Sequence, residues 1–143
     1  MTDDELVAKK LARIETSVRE LETLVKPHEI EEDLRAERFA EHTLQIAIQA
    51  AQDVASLIVS DGRLGEPRTN RELFEILARN GWIPHSMVDD LKRMIGFRNI
   101  LVHGYEIVDR RIVREIVEHR LGDLLAYADI IREEMSNRRS SSG

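Results

Sequence analysis

Val7, Leu11, Ile14, Val18, Leu21 and Val25 follow one another in alternating steps of four and three, the repeat that keeps apolar side chains on one helix face. The spacing predicts a first helix from a Thr2/Asp3 cap to about residue 25, stopped by Pro27. A second, long helix is expected over residues 29–60, ending at the Asp61-Gly62 break. It carries two seams. One is Ala40, Leu44, Ala47, Ala51, Val54 and Ile58; the other is Phe39, Thr43, Ile46, Ala50, Asp53 and Leu57. A helix apolar on two sides is either central in its own bundle or shared with a partner subunit. Asp53 breaks the second seam, and a carboxylate there calls for a cationic partner.

Residues 61–69 read as a loop on their glycines and proline. A third helix starts at a Thr69 or Asn70 cap, carries Leu73, Phe74, Ile76 and Leu77, and ends at Asn80-Gly81. Trp82, Ile83 and Pro84 lead through a Ser86 cap into a fourth, with Met87, Val88, Leu91, Met94 and Ile95 at helical spacing. A fifth is expected over residues 109–136 on Val113, Val117, Leu121, Leu124, Ala128 and Ile131. No stretch alternates with period two. The expectation is an all-α protein: an antiparallel bundle of about five helices over residues 1–136, with a polar, Ser-rich, disordered tail at 137–143.

The absence of cysteine excludes disulfides and thiol chemistry, and suits a reducing cytoplasm. Neither a membrane span nor a signal peptide is visible, so a soluble cytoplasmic protein with no membrane partner is expected. The net charge of -6 lies entirely in residues 1–60, with 7 basic against 13 acidic side chains. Residues 91–114 instead hold six cations (Lys92, Arg93, Arg98, Arg110, Arg111 and Arg114) against two acids. An anionic ligand such as RNA is expected on that stretch, with Lys92, Arg93, Arg110 and Arg111 as contacts. The plainer alternative is a solvated helix surface.

Within this basic stretch Arg98, Asn99, His103 and Tyr105 fall inside eight residues. On an unbroken helix Arg98 and His103 would point about 140° apart, so they converge only if the helix ends or bends between them. Gly104 is the expected stop, leaving Arg98 on the helix and His103 beyond its end. An imidazole ordinarily titrates near neutral pH and can take the proton of a ribose 2′-OH or protonate a leaving oxygen. A guanidinium fork can hold the phosphate. This chemistry cuts RNA without a metal or cofactor and spares DNA, which lacks the hydroxyl. His28, His42, His85, His103 and His119 are scattered, and no metal or phosphate-loop motif occurs. Taken without further context, the same groups also read as an ion-paired helix end with a packed tyrosine.

The segment Arg98-Asn99-Ile100-Leu101-Val102-His103-Gly104-Tyr105 resembles the R-x4-H-x-Y motif of HEPN-domain proteins of the HepT kind, the toxins of HepT–MntA (type VII) toxin–antitoxin modules. The helix order, the Asp53-bearing stretch and the Gly81-Trp82-Ile83-Pro84 link resemble that family too. The resemblance implies a HEPN fold, a homodimer, and a metal-independent endoribonuclease whose cleft lies where two motif copies meet. It carries Arg98 and His103 over as catalytic, Asn99 as a supporting polar group, and Tyr105 as the residue that a partner nucleotidyltransferase antitoxin, MntA-like, adenylylates. Asp53 is expected to reach Arg98 or His103 across the bundle. The alternatives are a non-catalytic HEPN module that binds nucleotide or docks a nucleotidyltransferase, and a plain helical scaffold.

Overall fold

Asp3 opens the first helix as the sequence predicts: its carboxylate accepts from the Leu6 backbone N–H at 3.1 Å. In the computed structural model, which describes residues 3–103 and 108–142, α1 spans Asp4–Leu24 and buries Val7, Leu11, Ile14, Val18 and Leu21. Seven α-helices and no strand occur among the described residues.

The expected second helix is two. A single turn, α2 (Glu29–Glu32), stops at Asp33, whose backbone is extended and whose side chain accepts from the Arg35 N–H to start α3 (Leu34–Gly62). An aspartate bonding its own downstream backbone competes with helix continuation. At the far end the helix runs through the expected Asp61-Gly62 break, and Arg63 takes the left-handed conformation, φ 51°. Its N–H and that of Leu64 close the last turn on Ser60 and Val59.

The first seam of α3 is buried within the chain, whereas in the second Thr43 and Ala50 are buried and Phe39, Ile46, Asp53 and Leu57 are half-buried. The helix is the axis of the bundle, touching α1, α2, α4 (Glu72–Arg79), α5 (Val88–His103), α6 (Arg110–His119) and α7 (Leu121–Ser142). Ala40, Ala47, Ala51 and Ala55 are buried and let these neighbours come close. Tyr127 of α7, with no exposed surface, donates to the Ala51 carbonyl at 2.9 Å and meets Phe74 of α4 edge-on at 5.8 Å. The two long outer helices are tied by a forked ion pair from Arg132 to Glu15.

The expected last helix also divides. Arg120 ends α6 with its N–H on the Ile116 carbonyl at 2.8 Å, and α7 begins at Leu121. The tail expected to be disordered continues α7 as far as Ser142. Its anchor is Arg138, which lies 4.1 Å from the Trp82 ring centre, donates to the Asn80 carbonyl and pairs with Glu134. A cation over an aromatic face supplies the contact that the polar composition concealed. No helix among the described residues is long and apolar enough to cross a membrane.

Candidate functional site

A 3-10 turn at His85–Met87 delivers the chain into α5, which buries Val88, Leu91, Met94, Ile95 and Phe97 against the bundle. Arg98 continues this buried face, three residues after Ile95 and four after Met94, while His103 points away from it. Arg98 and Asn99 are half-buried; Ile100, Val102 and His103 are exposed. The helix runs unbroken through His103, so no helix end separates it from Arg98, and the expected convergence within one chain does not occur. Five residues of regular helix hold the two side chains about 140° apart. Gly104 and Tyr105 lie outside the described residues.

Arg98 is held in an unusual way. One guanidinium nitrogen donates to the neighbouring Asn99 side-chain oxygen at 3.3 Å. Its Nε is buried and has no hydrogen-bond partner among the described residues. A buried donor left unbonded is costly and calls for an acceptor from elsewhere.

The neighbouring cations are different. Lys92 lies 2.6 Å from Glu75, Arg93 3.2 Å from Asp90, and Arg111 3.1 Å from Asp109. Arg110 stands 2.7 Å from Glu37 Oε1 as an ion pair, its angle too poor for a hydrogen bond, and donates to the Glu31 carbonyl. Arg114 reaches Glu31 at 3.0 Å. The hydrogen bond and charge of Lys92 hold the Glu75 carboxyl below its ordinary range, and Arg111 does the same to Asp109. The surplus of positive charge counted along residues 91–114 is therefore cancelled in space, by Asp90 next to the stretch and by Glu75, Glu37 and Glu31 from other helices. A phosphate would have to compete with a carboxylate at each of the four contacts expected from sequence.

Asp53 does have its cation, but not the expected one. Lys10 of α1 donates to one carboxylate oxygen at 3.0 Å, and Gln49 to the other at 2.8 Å. One oxygen is thus engaged by α1 and the other within α3, and the described structure shows no bond from Asp53 to Arg98 or His103. The sequence pattern signals a buried acid without saying which helix would cover it.

Residues 14–131 match the HepT-like ribonuclease family model. The chain belongs to this family. Over 132 residues this HepT-like chain is 30% identical to the mRNA nuclease HepT of Shewanella oneidensis, spanning 92% of its own length and 99% of that protein. It is also similar to the solved structure of the tri-AMPylated Shewanella oneidensis HEPN toxin in complex with MNT antitoxin: TM-score 0.84, 30% identity, 93% of this chain and 99% of that one. A toxin–antitoxin structure with AMP-PNP gives the same TM-score at 28% identity, over 90% and 98%. The bundle seen here is thus the HEPN toxin fold.

Two features of the HepT-like site escape a reading of sequence alone. Ile100 and Val102 within the motif are 45% and 41% exposed, and Ile112 of α6, which lines a cleft with Met94 and Phe97 of α5, is 47% exposed. Separately, Arg71 at the entrance to α4 reaches across to α5: its Nη1 is 3.8 Å from where a Cβ on Gly96 would stand. No sequence pattern links Arg71 to Gly96, because the contact depends on how α4 packs on α5.

Proposed function

We propose that this chain is the toxin of a toxin–antitoxin pair and a metal-independent endoribonuclease. Its cleft forms where the α5 helices of two copies meet. The observation that carries this reading is Arg98, a half-buried guanidinium with an unbonded Nε inside a complete R-x4-H-x-Y segment. Support comes from the relative named as an mRNA nuclease and from the exposed Ile100 and Val102 within the motif and Ile112 of α6, suited to burial against a second copy.

In the reaction His103 takes the proton of a ribose 2′-OH as that oxygen attacks the adjacent phosphorus. The bond from phosphorus to the 5′-oxygen breaks, the leaving oxygen takes up a proton, and a 2′,3′-cyclic phosphate remains. Arg98 holds the phosphate and offsets charge developing on its oxygens. Asn99 steadies the guanidinium through the 3.3 Å contact. Since one helix holds Arg98 and His103 apart, the pair that meets a given phosphate comes from different copies. A partner nucleotidyltransferase silences the toxin by adenylylating Tyr105, which places a bulky anion beside the arginine; the AMPylated relative bound to its MNT antitoxin supports this step.

The test is cleavage of RNA, and growth inhibition in cells, by wild type, Arg98→Ala and His103→Ala. Both variants are expected to lose cleavage and toxicity while remaining folded, and wild-type activity is expected to survive EDTA. Variants that stay fully toxic and active would remove the assignment.

A further inference from the structure

Gly96 sits in the middle of α5, where glycine weakens a helix relative to alanine. The chain's own packing does not require it. Among the described residues, a Cβ there would meet only Arg71 Nη1 within 4 Å, at an ordinary contact distance of 3.8 Å. Apart from Arg71, no side chain among the described residues covers this patch, which leaves it open to close approach from outside. On a regular helix Gly96 and His103, seven residues apart, share one stripe to within about 20°, with Asn99 and Ile100 beside it. Arg71 overhangs that stripe about 10 Å from the His103 position along the axis.

Arg71 is exposed, and no carboxylate pairs with it among the described residues. The acids closest in sequence are occupied: Glu72 accepts from the Arg68 backbone N–H and Glu75 is taken by Lys92. The cleft between the α4 entrance and α5, about 510 Å³, is lined by Thr69, the cations Arg71, Lys92 and Arg93, and the carboxylates Glu72, Glu75 and Asp89; Lys92 and Arg93 are ion-paired, which leaves Arg71 for an anion. A spare guanidinium over a side-chain-free patch, on the histidine stripe, fits a ribose–phosphate backbone approaching closely.

We infer that Arg71 is a substrate-binding residue that holds an RNA phosphate next to Gly96, away from the scissile one, so that the strand runs along α5 toward His103. The inference rests on the reading of this chain as a ribonuclease. It moves the non-catalytic phosphate contact from the ion-paired Lys92, Arg93, Arg110 and Arg111 to the α3–α4 connection.

The probe is a 2′-O-methyl RNA oligonucleotide, which cannot be cleaved, bound to the full chain over a series of salt concentrations. Losing one phosphate contact on a single strand lowers the slope of log affinity against log salt by about 0.7, roughly a fivefold loss of affinity near ~0.1 M salt. Arg71→Ala is expected to show that loss, Arg71→Lys to keep the slope, and Gly96→Ala to fold at least as well while binding more weakly. In cleavage assays Arg71→Ala raises KM and leaves kcat in place. An unchanged slope in Arg71→Ala, wild-type affinity in Gly96→Ala, or a change in oligomer mass on substituting Arg71 overturns the inference. If wild type binds the oligonucleotide with an Arg71-dependent slope but cuts no RNA, the ribonuclease reading fails and the binding site stands.

Discussion

Arg98 and His103 ride the same unbroken helix and leave it in directions about 140° apart. On the proposed function the pair that meets one phosphate comes from two copies, which makes the site a test of subunit geometry. Chains carrying Arg98→Ala and chains carrying His103→Ala, each inactive alone, are expected to regain activity when mixed and reassembled. A mixed dimer holds one cleft with an intact arginine from one chain and an intact histidine from the other. Recovery to between about a quarter and half of wild-type cleavage is expected, given random pairing or pure mixed dimers. No recovery, with mixed dimers verified by mass, would place both groups in one subunit.

Tyr105 follows His103 in the chain with only Gly104 between them, so a group attached to the tyrosine stays near the imidazole. Incubation with ATP, Mg²⁺ and the partner nucleotidyltransferase is expected to add an adenylyl group to the peptide containing Tyr105, with loss of cleavage. Tyr105→Phe should keep cleaving in the partner's presence. A fully active toxin bearing the adenylyl group on Tyr105 would show that modification does not silence it.

Asp53 bonded to Lys10 and Gln49 has a structural part in the α1–α3 contact. The pair is partly screened, with side chains 27% and 31% exposed, so Asp53→Ala is expected to cost on the order of 1 kcal/mol or less. Cleavage per folded molecule should stay at the wild-type level. A large drop in kcat with unchanged stability would return Asp53 to the catalytic site.

Asp123 at the start of α7 offers a pH signature. Burial, and then the Asp90 carboxylate, push its carboxyl above the ordinary range; Arg120, 3.9 Å away, opposes only weakly. Its Oδ2 is buried without a hydrogen bond among the described residues. A raised folded-state pKa means that the native protein binds this proton more readily than the unfolded chain. Stability is therefore lost as pH rises from the unfolded value, about 3.9, through the raised one, and the full cost remains at neutral pH. Asp123→Asn is expected to raise Tm at pH 7, with the gain shrinking toward pH 4. A variant that melts below wild type at pH 7 would contradict this.

The sequence by itself determined the helical class, the apolar faces and the R-x4-H-x-Y segment to which the proposed chemistry is assigned. Those follow from periodicity and short spacing, which are local properties of one helix. It also foretold that Asp53 needs a cation. Only the tertiary structure decided that the cation is Lys10, because the partner of a buried acid depends on which distant helix packs over it. For the same reason the charge counted along residues 91–114 dissolved into ion pairs with Glu31, Glu37 and Glu75. The two helix breaks, at Asp33 with its side-chain cap and at Arg120, are local turns that a periodic pattern runs straight through. Packing likewise kept Arg138 over Trp82 and carried Arg71 to Gly96. Local spacing names the groups able to act; the arrangement of the helices settles which of them remain unpaired.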